Sequence, residues 1–120
     1  MNANQKTVSV ALDTKHLGVD FPFKERYGNF INGEFVAPKS GKYFENTTPI
    51  TGEVICEIAR SNAEDVECAL DAAHAAFPAW GKTSTTERSN MLLKIANIME
   101  VNSQTLAVAE TLDNGKPIRE

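Results

Sequence analysis

The chain has 120 residues, 42% of them hydrophobic, with 7 glycines and a formal net charge of −4, proportions that exclude collagen-like, mucin-like and wholly disordered proteins. Twelve basic residues against sixteen acidic ones, with no clustered basic face, exclude a nucleic-acid footprint. No run approaches the roughly 18 apolar residues of a membrane span and no leader-like apolar core opens the chain, which places the protein in the cytoplasm.

Residues 1–26 have no sustained hydrophobic period and contain Gly18 and Pro22; they read as an extended arm that orders only by packing on something else. The character changes at Tyr27. Asn29-Phe30-Ile31 and Glu34-Phe35-Val36 are β-prone runs around Asn32-Gly33, a pair that supplies the positive φ angles of a type I′ hairpin. Pro38, Ser40 and Gly41 make a turn, Lys42-Tyr43-Phe44-Glu45 reads as a strand, and the alternation across Glu53 to Ala59 predicts a half-buried strand.

Three helices follow. Ser61-Asn62-Ala63-Glu64 reads as a capping box, after which Val66, Ala69, Leu70, Ala73, Phe77 and Trp80 share one stripe and Pro78 marks the approaching end. Ser84-Thr85-Thr86-Glu87 repeats the box ahead of Met91, Leu92, Ile95, Ile98 and Met99. Ser103 or Asn102 caps a third helix with Leu106, Ala109 and Leu112 inward and Asn114-Gly115 as its left-handed stop; Pro117 suits the first turn of a fourth. The fold class is therefore α/β, a hairpin and strands followed by three amphipathic helices, reading as part of a larger layer.

Candidate chemistry is sparse. Glu67, Asp71 and His74 share a helix face that could hold a metal, but such a face is ordinarily solvated. Cys56 and Cys68 form no CxxC pattern and read as free thiols, with a structural role for Cys56. His16 lies in the arm. Asn46-Thr47-Thr48 fits a glycosylation sequon without a leader to use it. Gly115-Lys116 lacks both ends of a phosphate loop, and neither a GxGxxG nor a GxSxG occurs.

From Tyr27 onward the chain resembles the amino-terminal part of the aldehyde dehydrogenase superfamily. Tyr27 to Val36 looks like its opening hairpin, and Asn46-Thr47-Thr48-Pro49-Ile50-Thr51-Gly52-Glu53-Val54-Ile55 is similar to its N-P-x-T-G-E-V-I turn, with Thr48 before the proline. Glu64-Asp65-Val66 through Ala79-Trp80, Glu87-Arg88 with Leu92 to Ala96, and Glu110-Thr111-Leu112-Asp113-Asn114-Gly115-Lys116 match later landmarks in the family's order. Phe23 to Tyr27 and Leu70 to His74 look most like bacterial acetaldehyde dehydrogenases.

The resemblance implies residues 27–120 as the start of an NAD(P)-binding, Rossmann-like domain, in an oxidoreductase that turns short aliphatic aldehydes into acids and works as a homo-oligomer. A thiolate adds to the aldehyde, hydride passes to NAD or NADP, and a glutamate directs hydrolysis. Neither Cys56 nor Cys68 stands in the family's nucleophile motif, so no catalytic or cofactor-binding residue is carried over and the chain alone is expected to be inactive. A monovalent cation held by carbonyls near the Asn-Pro turn and by the aspartate of the later motif would fall on Asn46, Thr47 and Asp113. An alternative is a non-catalytic interaction module that binds full-length subunits.

Overall fold

The computed structural model describes residues 12–119. Asn32 and Gly33 both take positive φ, 53° and 87°, and close a hairpin in which β2 (Asn29–Ile31) pairs antiparallel with β3 (Glu34–Val36), Phe30 opposite Phe35. This is the I′ geometry expected of the Asn-Gly pair. Just before it, β1 (Arg26–Tyr27) belongs to a different sheet, so the chain changes sheets at Gly28.

The larger sheet has the order β1-β5-β4. β5 (Val54–Ala59) is central; β4 (Tyr43–Thr47) runs antiparallel to it and β1 parallel. The six residues of β5 are mostly apolar, and they provide most of the core: Ile55, Cys56 and Ala59 are buried. Register slips between Asn46/Cys56 and Thr47/Val54, so Ile55 is the extra residue of a bulge. That bulge breaks the polar and apolar alternation and places two consecutive side chains, Ile55 and Cys56, in the interior. Across the exposed side, the Arg26 guanidinium pairs with Glu57 and stacks 4.3 Å from the Tyr43 ring, linking all three strands. Its exposure keeps the ion pair itself a small contributor.

The turn between β4 and β5 is built by Thr48, which is fully buried. Its N–H donates to the Glu53 carbonyl at 2.9 Å, its carbonyl accepts from Gly52, and its hydroxyl accepts the Ile50 N–H. Where the family pattern has asparagine, threonine forms the local turn bond with its hydroxyl.

Helix α1 (Ala63–Gly81) starts one residue later than the sequence reading placed it: the cap is Asn62 with Asp65, not Ser61 with Glu64. Ser61 instead donates its hydroxyl to Asn29 Oδ1. Asp65 explains the shift. It is 4% exposed and accepts from the Asn62 N–H at 2.9 Å, the Lys39 N–H at 2.9 Å and Asn29 Nδ2 at 3.3 Å, so one carboxylate caps the helix and ties it to the hairpin. The helix also runs three residues past Pro78.

α2 (Thr85–Val101) carries the expected Ser84–Glu87 box. Arg88 reaches back to donate to the Trp80 carbonyl at 2.9 Å, with its guanidinium 5.3 Å from the Trp80 ring, and so finishes the open end of α1. α3 (Ser103–Asn114) follows after Asn102, whose side chain donates to the Ile98 carbonyl rather than capping α3. Its buried pair is Val108 and Leu112, one turn apart, while Leu106, expected inward, is exposed. Gly115 ends α3 at φ 78°, where a Cβ would lie 3.2 Å from Pro49 Cγ. Ile118 and Arg119 are in a turn.

Of the arm expected at 1–26, residues 1–11 lie outside the described residues. Within the rest, Lys15–Leu17 forms a 3-10 turn, which includes His16, and Arg26 already belongs to β1. The buried Thr14 hydroxyl donates to the Val19 carbonyl, and Gln104 on α3 donates to the Leu17 carbonyl. Among the described residues, no helix is long and apolar enough to cross a membrane.

Candidate functional site

The carboxyl end of α3 lies against the corner between β4 and β5. Gly115 touches Pro49 there because it has no Cβ, and this approach sets Asp113 beside the end of β4. Asn46 Nδ2 donates to Asp113 Oδ1 at 2.7 Å, across 67 positions of sequence. Two of the three residues named for a cation, Asn46 and Asp113, are thus brought into direct contact, and Thr47 follows Asn46 on the strand at the bulge. Asp113 is exposed and Asn46 half-buried.

Behind this pair lies a cavity of about 410 Å³ between the larger sheet and α3, with Phe23, Tyr27, Ile58 and Leu106 among its apolar walls and Glu110 and Asp113 on one side. Cys56 also faces it. Its Sγ is 3.8 Å from Asn46 Nδ2, which makes the amide a shared donor to thiol and carboxylate. Sequence alone did not bring Cys56 to this corner, because the bulge that turns it inward depends on pairing with β4 and leaves no local signature.

The thiol is not prepared for nucleophilic work. Burial holds it above its ordinary range and the Asp113 carboxylate adds to the shift, against a smaller lowering from the Asn46 amide. A thiol-specific reagent at pH 8 should modify half-buried Cys68 about tenfold or more faster than Cys56, with the difference vanishing in denaturant. Equal rates in the folded chain would contradict the burial described here.

The remaining candidates do not assemble. Among the described residues no group of three His, Cys, Asp or Glu side chains is placed to hold a metal, so Glu67, Asp71 and His74 remain separate positions on α1. Cys68, on α1, lines a smaller pocket beside Asp65 and the hairpin residues Ile31 and Val36. No glycine-rich phosphate turn is present in the sequence.

A model described as "Aldehyde dehydrogenase family" matches residues 35–120, and the chain belongs to that family. An aldehyde dehydrogenase of Paracoccus denitrificans is 68% identical over 99 residues, 82% of this chain and 20% of that protein. An acetaldehyde dehydrogenase of Pseudomonas aeruginosa is 60% identical over 103 residues, 86% of this chain and 20% of that protein. Among solved structures, the NAD+ complex of an aldehyde dehydrogenase from Bacillus cereus superposes with a TM-score of 0.75 at 39% identity, covering 79% of this chain and 20% of that one. The chain thus spans about a fifth of the length of the relatives it matches.

Proposed function

We propose that this chain is the opening segment of the coenzyme-binding domain of a cytoplasmic, homo-oligomeric NAD(P)-dependent aldehyde dehydrogenase that oxidises short aliphatic aldehydes to carboxylic acids. Residues 27–120 are its scaffold and residues 1–26 its N-terminal arm. The observation that carries the reading is the family match across residues 35–120, which takes in β4, β5 and all three helices. The identity to an acetaldehyde dehydrogenase supports the short-chain substrate, and the NAD+ bound by a structural relative supports the cofactor. Within this reading the chain's residues shape and brace the domain. The thiolate, the base and the cofactor contacts belong to other segments, and the 120 residues alone have no turnover.

A chimera tests this reading, with the matched segment of the Paracoccus denitrificans relative replaced by the corresponding residues of this chain. Acetaldehyde-dependent reduction of NAD or NADP by the chimera, and none by the purified 120-residue chain, is expected. A folded chimera without oxidation, or turnover by the 120 residues alone, would overturn it.

Asn46, Thr47 and Asp113 are proposed as part of a monovalent-cation site. The donor set fits a hard ion: Asp113 has a second carboxylate oxygen besides the one bonded to Asn46, and the bulged strand end offers main-chain carbonyls. The Asn46 side chain presents its NH2 to Asp113, so that residue's contribution is its carbonyl. At ten times the Kd, potassium should stabilise the chimera by about 1.4 kcal/mol relative to tetramethylammonium, and Asp113→Ala should remove most of that gain. Identical melting of the unaltered chimera in the two salts would eliminate the site.

A further inference from the structure

The sequence holds two Asn-Gly pairs, Asn32-Gly33 and Asn114-Gly115. In such a pair the main-chain nitrogen of the glycine can attack the asparagine side chain with little obstruction, because glycine has no Cβ to stand in the way. The fold treats the two pairs oppositely.

At the end of α3, Asn114 is held at both of its side-chain polar atoms. Its Nδ2 donates to Glu110 Oε1 at 2.6 Å, and its Oδ1 accepts the Lys116 N–H at 2.8 Å. The nitrogen that would attack, that of Gly115, donates to the Thr111 carbonyl at 2.9 Å. These bonds must open together before the reacting atoms can meet.

The hairpin tip has no such restraint. Asn32 is exposed, and neither its side chain nor the Gly33 N–H has a hydrogen-bond partner among the described residues. The I′ turn explains this, since the flanking pair, Ile31 and Glu34, closes the loop and leaves the two central residues outside the ladder. Space is open as well: a Cβ built on Gly33 would meet nothing within 4 Å. Asn32 is also the one non-glycine residue at positive φ among the described residues, 53°, a conformation that the hairpin imposes rather than one the residue prefers.

We propose that Asn32 is a self-modifying site, converted through a succinimide to aspartate and isoaspartate, and that Asn114 is protected from the same reaction by its place in the fold. The Gly33 nitrogen gives up its proton and bonds to Asn32 Cγ, the Cγ–Nδ2 bond breaks, and the side-chain nitrogen leaves with that proton as ammonia. Water then opens the ring at Cγ to leave aspartate, or at the main-chain carbonyl to leave isoaspartate, in which the chain runs through Cβ and Cγ. The net exchange is water in and ammonia out, with no change of oxidation state. Either product puts a carboxylate beside Glu34. Isoaspartate also adds a main-chain atom to a two-residue loop whose length sets Phe30 opposite Phe35, their rings 5.1 Å apart. Through the Asn29 amide, which donates to Asp65, the altered hairpin reaches the start of α1.

The experiment incubates the purified 120-residue chain in mildly alkaline buffer and follows both sites by peptide mass spectrometry, with aspartate and isoaspartate separated chromatographically. Asn32 should convert about tenfold or more faster than Asn114, the bonds at Asn114 accounting for the gap. In denaturant the two rates should converge, because the two dipeptides are the same. Glu110→Ala, which frees the Asn114 amide, should narrow the gap in buffer by speeding Asn114 alone. Asn32→Gly, which tolerates the positive φ of the turn, should abolish the product at the hairpin, and its urea midpoint should hold on ageing while that of the unaltered chain falls. Equal or reversed rates in buffer, a gap that persists in denaturant, or a chain modified at Asn32 with an unshifted urea midpoint overturns the proposal.

Discussion

Replacing Gly28 with alanine should destabilise the chain by at least about 3 kcal/mol, the upper end of the usual cost of forcing an extra carbon into a packed site. A Cβ at this position would lie 2.4 Å from the Val36 carbonyl oxygen and 3.0 Å from its carbonyl carbon. Both are backbone atoms at the end of β3, so no side-chain rotation relieves the overlap. Gly28 is also where the chain leaves β1 for β2, and moving it would disturb Tyr27 opposite Ile58 in one sheet and Asn29 opposite Val36 in the other. With a urea dependence of about 1–3 kcal/mol/M, the unfolding midpoint should fall by about 1 M or more. A shift below about 0.3 M would show that the hairpin swings away from the sheet at little cost.

Asp65→Ala should have the next largest effect, lowering Tm by on the order of 10 °C. The substitution leaves three donors without their acceptor, the Asn62 and Lys39 backbone N–H groups and the Asn29 amide, and releases the start of α1 from the hairpin. The same bonds predict a pH dependence. The Asn62 and then the Lys39 N–H hold the carboxyl below its ordinary value of 3.8 in the folded chain, outweighing the opposing effect of burial. Because the folded pKa is the lower one, the stabilisation is complete above 3.8 and is lost as pH falls through the folded value. Asp65→Asn should therefore flatten the acid limb of Tm against pH. The limb should not vanish, because Glu87 is likewise held below 4.5 by the Ser84 N–H and hydroxyl. An unchanged acid limb in Asp65→Asn would remove the carboxylate from this role.

The parts legible in the sequence were those whose causes are local. Asn32-Gly33 specified its hairpin because both residues tolerate positive φ, and Ser84–Glu87 specified the start of α2 because the two bonds of a capping box lie within four residues. At α1 two overlapping boxes competed, and the decision came from Lys39 and Asn29, more than twenty positions away in the chain. The two-residue strand at Arg26–Tyr27 had no local signal at all; it exists because β5 offers a parallel edge. Helical periodicity correctly located apolar stripes on α1 and α2, but a stripe records the surroundings a face prefers, not the elements that supply them, and both stayed exposed. At the candidate site, ordered family motifs pointed to Asn46, Thr47 and Asp113, and the Asn46–Asp113 contact was within reach of that resemblance. The neighbouring thiol was not, since only the bulge places it there.

The Asn46–Asp113 bond also sets an order of events. Loop closure becomes costlier as the separation of the joined residues grows, and this clasp joins positions 67 apart, whereas β4 and β5 meet through a tight turn at Thr48–Gly52. The β4–β5 pair can therefore form early, with the Asn46 amide waiting at its end, and the corner closes only after three helices have been laid down. During synthesis, at about 5–20 residues per second, several seconds separate the emergence of Asn46 from that of Asp113. For that interval one wall of the cavity is missing and the Cys56 side of β5 is open, so oxidation of this thiol is a hazard of the nascent chain rather than of the finished fold.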